Sequence, residues 1–468
     1  MISNERFTKL IGECFGNHRF PRRVAIAVSG GVDSICLTWL LNQYRIRYRP
    51  DAEMYAITID HGYRCGSGQE ARRVGELVSK WNVNHIIDKL DYGNQDIHSI
   101  TNFEEVARFA RYERMNKICK QLNISSLFLG HNLDDQLETF VTRLQRNSLI
   151  LGLKGMDSKT MIPIPQSIEN QPIYLYRPLL TCLKLDIIST CQSQGIEWYE
   201  DITNQDIDLT LRNKIRYLIN EKVPQLNSDY QCISKQNLLV TYNEIVQFCD
   251  LVNKRTISLY KYLNRNHLIK ENSKNGSLLI SFPRSLFIEN NQIVLSRFLF
   301  NHLYCQSSVK HYHWCYSKLE RHLVPKLLNF SSSNQSRLKL TYLNLVFDAN
   351  KTNDMIIIDI SRQPLIKGQP VDLTLQLSSA WSEWVLFDRR FWLRFKSGNF
   401  QTATIVLYHH QQLNHKVHPT LKNLVSKSNN NSPALLINNE IVAFPTYNLS
   451  ALNDLQYEWS LKPNPFTF

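Results

Sequence analysis

The chain has 468 residues, 43% of them apolar and 20% charged, which is long for a single hydrophobic core and ordinary for a globular protein. No apolar run reaches the roughly 18–20 residues that cross a bilayer as a helix, so no membrane association is expected. The formal charge of +13 fits general solubility, and equally a polyanionic partner, because Lys and Arg contacts to phosphate supply most non-specific affinity for nucleic acid.

Taken in chain order, Phe7, Leu10, Ile11, Cys14 and Phe15 fall at helical spacing. The basic segment Met1–Arg23 can be read as an organelle-targeting signal, but a helix packed on the first domain is the reading preferred here. Short apolar runs then alternate with amphipathic stretches. Strands are expected at Val24–Val28, Met54–Ile59, Val83–Leu90 and Ser126–Leu129. Helices are expected at Ile35–Tyr44, Gln69–Trp81, Phe103–Leu122 and Leu133–Gln145. This alternation predicts an α/β fold, a doubly wound parallel sheet whose ligands bind beyond the carboxyl ends of the strands.

Residues 162–172 read as a loop, followed by helices at Leu183–Gln194 and Leu211–Glu221. Pro224 lies in a polar stretch that marks a boundary. Residues 240–330 look mainly helical, Ser331–Asn334 is a candidate linker, and alternating segments such as Met355–Ile360 and Trp392–Phe395 predict strands. The expected domains are therefore 1–222, a helical region at 223–335, and a small strand-rich terminal domain at 336–468. The ten cysteines form no C-x-x-C pair, which argues against a zinc ribbon, a dithiol site or a disulfide scaffold.

The segment Ser29-Gly30-Gly31-Val32-Asp33-Ser34 lies between a strand and a helix. Glycines let the backbone turn and approach phosphate oxygens, and the helix start offers free N–H groups to an anion. Ser29 and Ser34 add hydroxyls, and Asp33 can orient Mg2+ or a water. A plain turn with a helix cap uses the same residue types, but the whole pattern after a buried strand predicts a nucleotide loop. It is neither a Walker A motif nor a dinucleotide fingerprint.

Gly130-His131-Asn132-Leu133-Asp134-Asp135-Gln136-Leu137-Glu138 follows the fourth strand. His131 and Asp135 share one helix face, as do Asp134 and Glu138. Such carboxylates near the nucleotide loop can hold Mg2+ or receive a cationic group, although a capped helix with an acidic first turn has the same composition. Arg108 and Arg111, on the long helix, suit phosphate contact or surface ion pairing. His61, at the end of the second strand, serves equally as a nucleotide contact or as an ordinary polar residue.

The loop resembles that of the N-type ATP pyrophosphatases, the PP-loop superfamily. With Asp60–Arg64, Ala107–Tyr112, Gly130–Thr139, Arg143–Arg146 and Gly152–Met156 in that order, residues 1–220 resemble the tRNA(Ile)-lysidine synthetase family. Tyr176–Leu180, Trp198–Asn204 and Arg212–Arg216 resemble its later segments, and Pro433–Pro445 resembles a terminal strand pair of longer members. The resemblance implies an intracellular enzyme that uses ATP and Mg2+. It would attach free L-lysine to C2 of the wobble cytidine of a tRNA(Ile) with a CAU anticodon, through an adenylated tRNA.

Carried over residue by residue, it implies catalytic roles for Asp33, Asp134, Asp135, Glu138 and Arg177. ATP would contact Ser29, Gly30, Gly31, Val32, Asp33, Ser34, His61, Arg111, Gly130 and His131, and Mg2+ would bind Asp33 and Asp135. The tRNA would contact Arg108, Arg143, Arg212 and Arg216. Where the family usually has a second His this chain has Asn132, and where it favours Gly this chain has Asn147 and Leu149.

Other readings are a thiolating enzyme of the same superfamily, a small-molecule adenylating enzyme, or a non-catalytic tRNA-binding protein. Missing cysteine pairs, the basic extension and the intact loop argue against them in turn. The basic start points to a mitochondrion in a eukaryote, and the location would be the cytoplasm in a bacterium. An oligomer is compatible with everything above.

Overall fold

The computed structural model describes residues 1–16, 18–60, 67–90, 103–164, 171–199, 207, 210–226, 228–365, 371–399 and 401–466. The chain divides into two compact units, Met1–Cys249 and Asp250–Phe468. Among the described residues no helix is long and apolar enough to cross a membrane.

In the first unit the order is α1 (Asn4–Phe15), β1 (Arg23–Ala27), α2 (Val32–Tyr48), β2 (Glu53–Asp60), α3 (Ser67–Ser79), β3 (Asn84–Lys89), α4 (Phe103–Gln121), β4 (Ser126–Phe128) and α5 (Leu133–Gln145). Then follow α6 (Ile150–Leu153), β5 (Lys159–Met161), β6 (Tyr174–Tyr176), α7 (Lys184–Ser193), α8 (Leu211–Tyr217) and α9 (Lys235–Arg265), the last running on into the second unit. One sheet has the order β3-β2-β1-β4-β6-β5. Every pairing in it is parallel except β5 with β6. The expected doubly wound sheet is thus present. The strand order reverses between β1 and β4, the switch point at which doubly wound sheets bind ligands in the crevice outside the strand ends.

The local reasons are visible in the residues. β1 is almost wholly buried because helices cover both faces of the sheet, so its Val24, Ala25 and Ile26 meet no water. α1 starts at Ser3, whose hydroxyl accepts the Arg6 N–H at 3.1 Å, and buries the five apolar residues expected. Phe15 stacks on Tyr176 with ring centroids 4.4 Å apart, tying α1 to the sheet. α2 begins three residues before the expected Ile35, because Gly31 is already its N-cap. The expected helix Leu211–Glu221 widens into a π turn at Leu218–Lys222.

The second unit contains β7 (Ile269–Asn272), β8 (Ser277–Pro283), β9 (Arg337–Tyr342), β10 (Leu345–Lys351), β11 (Met355–Arg362), β12 (Leu373–Leu377), β13 (Val385–Phe387) and β14 (Phe391–Lys396). It ends with β15 (Gln401–Leu407), β16 (Pro433–Ile437), β17 (Glu440–Phe444), β18 (Leu449–Ser450) and β19 (Gln456–Leu461). The sheets run β7-β8-β11-β10-β9, β12-β15-β16-β17-β18 and β13-β14-β19.

The hairpin β7–β8 interrupts the stretch read as mainly helical, and it pairs with β11 from beyond residue 336. Ser331, in the candidate linker, is 1% exposed at the end of the helix Val324–Ser332. Pro433–Pro445 contains the hairpin β16–β17, turned by Asn438 and Asn439, both with positive φ.

Candidate active site

The crevice between β1 and β4 is walled by the loop after each strand. On the β1 side, Gly30 takes φ +89°, a conformation that side chains resist. A Cβ there would also lie 2.8 Å from Val74 Cγ2. Gly30 carbonyl accepts the Tyr199 N–H at 2.9 Å. Ser34 hydroxyl donates to the Gly31 carbonyl at 3.0 Å and accepts from the Ser29 N–H at 3.2 Å, so it braces the turn from within. Asp33 stands in the first turn of α2 with its carboxylate toward the opposite wall.

On the β4 side, a Cβ on Gly130 would lie 3.0 Å from Asp33 C and from Ser34 N. The two loops therefore touch backbone to backbone. Asn132 caps α5: its side-chain oxygen accepts the Asp135 N–H at 3.1 Å, while Asp135 accepts the Asn132 N–H at 2.9 Å. The amide nitrogen of Asn132 donates to Asp33 Oδ1 at 2.9 Å. Asn at this departure from the family pattern thus caps a helix and bridges the two walls. Its N-x-x-D spacing is a capping-box signal legible in the sequence.

Each carboxylate expected at the site is matched to a cation of the chain. Lys184 Nζ donates to Asp33 Oδ2 at 2.5 Å. Arg212 binds Asp135 and, through Nε, Glu138 Oε2 at 2.5 Å. Arg216 Nε reaches Glu138 Oε1 at 2.7 Å. Lys235 pairs with Asp134, whose other oxygen accepts the Lys184 N–H at 2.9 Å at the start of α7. Glu138 is 4% exposed, and such a buried carboxylate is tolerable only with partners of this kind. Burial pushes the Asp135 carboxyl up, against the opposing pull of Arg212.

A second group surrounds His131 and Tyr112. Burial, then the positive charges of Arg177, Arg212, Arg108 and Arg111, hold His131 well below the ordinary imidazole value, so it is neutral at physiological pH. Among the described residues its Nδ1 is buried without a hydrogen-bond partner, as is Nε of Arg177. Arg177 Nη1 donates to the Asp157 carbonyl at 2.9 Å and to Thr160 Oγ1 at 3.0 Å. Burial lowers the pKa of Arg111 and of Arg177. Arg108 and Arg111 lie over the Tyr112 ring at 5.6 and 5.8 Å. Burial raises the Tyr112 hydroxyl pKa, but Arg108, Arg111 and Arg177 outweigh it and the net direction is down. The result is a concentration of positive charge that suits a polyanion.

Arg143 faces inward instead: its Nη1 donates to the Gly155 carbonyl at 3.0 Å and to that of Gly152. His61 and the acidic segment 200–204 lie outside the described residues. Asn147 takes φ +53°, which explains a preference for Gly there, whereas Leu149 at φ −70° needs no glycine. Lys184 and Lys235 carry no motif signal that singles them out, whereas Tyr112 closes the Ala107–Tyr112 segment. Among the described residues, no group of three or more His, Cys, Asp or Glu is placed to hold a metal.

A PP-loop domain model matches residues 2–223. A probable tRNA(Ile)-lysidine synthase of Schizosaccharomyces pombe is 29% identical over 394 residues, 82% of this chain and 80% of its own length. The tRNA(Ile)-lysidine synthases of Rickettsia rickettsii (strain Sheila Smith) and Rickettsia prowazekii are 32% and 34% identical over 212 residues, 45% of this chain. Those matches span only 41% and 45% of the bacterial proteins. Among solved structures, a U34-tRNA thiolase of Methanococcus maripaludis gives a TM-score of 0.39 at 14% identity over 52% of this chain and 79% of that one. That last likeness carries no weight for function. The loop, the switch point and these relatives agree: residues 2–223 match a PP-loop domain, and the chain is similar to tRNA(Ile)-lysidine synthases.

Proposed function

We propose that the protein joins free lysine to C2 of the wobble cytidine in a tRNA(Ile) with a CAU anticodon, with ATP as the activating reagent. The carrying observation is the meeting of the Ser29–Ser34 loop with Gly130–Asp135 at the switch point, flanked by a positive group at Arg108, Arg111 and Arg177 and by the acidic residues of α5. In the first step the cytidine O2 attacks the α-phosphorus of ATP and pyrophosphate leaves. In the second, an amine of lysine forms a bond to C2, the C2–O bond breaks, AMP departs and the amine loses a proton.

The oxygen is a poor leaving group until it carries the phosphoryl, and the arginines stabilise the charge that accumulates on pyrophosphate. Neutral His131 can donate a hydrogen bond in this setting without adding a charge. Asp135 and Glu138 form the acidic group for the lysine ammonium, and Arg212 and Arg216 hold that group in place. A magnesium ion bound through nucleotide phosphates needs only one or two carboxylates from the protein. Asp33, partly exposed beside the loop and paired with Lys184, fits that demand, and the ion would neutralise phosphate charge.

The test is incubation of the purified protein with ATP, labelled lysine and a folded tRNA(Ile) transcript bearing CAU. Label enters the tRNA and AMP accumulates, each requiring the other substrates. Absence of incorporation into a transcript proven folded overturns the assignment.

A further inference from the structure

We infer that Lys184 is a phosphate-binding residue of the ATP site, held in position by Asp33; this rests on reading the Ser29–Ser34 loop as the ATP loop. Lys184 is the first residue of α7, and its backbone N–H is tied at 2.9 Å to Asp134 Oδ2 on the opposite wall. Its side chain turns to the nucleotide loop, where Nζ donates to Asp33 Oδ2 at 2.5 Å. An ammonium has three N–H donors. One is used on Asp33, and the other two have no partner among the described residues. The Lys184 side chain is 38% exposed, so those donors face open space beside the loop rather than protein.

Asp33 is itself immobilised, with Oδ1 held by the Asn132 amide at 2.9 Å and its backbone packed against Gly130. The carboxylate thus aims the ammonium, and the long flexible side chain loses its freedom before the nucleotide arrives. A compact point charge with two unspent donors at the mouth of a glycine-rich anion loop is suited to terminal phosphate oxygens. The charge balance supports the same role. An unpaired Asp33 would repel a triphosphate, whereas the Asp33–Lys184 pair presents a neutral base with its positive end outward. Lys184 therefore distinguishes the polyphosphate from the nucleoside: ATP and pyrophosphate should use it, and AMP should not.

The experiment is calorimetric titration of the full-length protein with ATP, pyrophosphate and AMP, with thermal melting recorded alongside, for the unchanged chain, Lys184→Met, Lys184→Gln and Lys184→Arg. Losing charge-assisted bonds to phosphate should weaken ATP and pyrophosphate about 10- to 100-fold in the Met and Gln variants. AMP should stay within about twofold, and Arg should restore most of the affinity by keeping the charge. If the unchanged chain binds ATP and both neutral variants bind it equally well, Lys184 is not a phosphate ligand. If AMP weakens as much as ATP, its role is structural, which also overturns the inference. If the unchanged chain binds no ATP, the reading of the loop fails first and Lys184 falls with it.

Discussion

Gly130→Ala is the substitution that most directly probes how the two walls of the crevice meet. The added Cβ would lie 3.0 Å from Asp33 C, 3.0 Å from Ser34 N and 3.1 Å from Asp33 O. All three are backbone atoms, so no rotamer change can clear them. Ordinary contact begins near 3.4 Å, so the end of β4 and the loop must part by about half an ångström. Overpacking of this kind costs about 1–3 kcal/mol. Replacing glycine stiffens the unfolded chain and returns about 0.4–1 kcal/mol, so the net loss should be about 1–2 kcal/mol. The loop would move with Asp33, and small misplacements at a site cost rate steeply, about 10²-fold for 1 Å. About tenfold in ATP affinity or turnover is then the expectation for half that distance. Denaturant unfolding and ATP titration check both numbers. Unchanged stability with ATP affinity within twofold would refute the close approach and the argument built on it.

Asn147, at φ +53°, is the second position where backbone conformation decides the outcome. Asn147→Gly should leave stability within about 0.5 kcal/mol, whereas Asn147→Ala should cost about 1 kcal/mol, because Ala in the left-handed region has no local hydrogen bond to offset the clash. Equal stability of the two variants in urea would count against that assignment. In the second unit, burial pushes the His302 pKa down to about 4, although its Nδ1 lies 2.8 Å from the Phe298 carbonyl. A depressed folded value means that the folded state prefers the neutral ring. Its contribution is whole above about pH 6.5 and is lost as pH falls toward 4, with a span of about 3 kcal/mol. His302→Gln should flatten the acid side of a stability–pH curve between those limits, and an unaltered slope would contradict it.

Much of the first unit was legible because its signals are local. The strand preceding Ser29–Ser34 is a run of buried apolar residues, and α2 and α5 start at caps, Gly31 and Asn132, that the motifs themselves supply. β8 was missed although Ser277–Phe282 alternates cleanly, since a short strand inside a helix-rich stretch is outweighed by its surroundings until β11 pairs with it.

By itself the sequence determined the alternation of strand and helix, the glycines at Gly30 and Gly130, and the acidic first turn of α5, because each depends on neighbours a few residues away. The tertiary structure decided which charges meet. Arg212 lies 74 residues from Glu138, Lys184 lies 151 from Asp33, and no spacing rule connects either pair. Such contacts arise only when parallel strands bring distant loops to one edge of the sheet, and there the cost of burying a charge selects its partner.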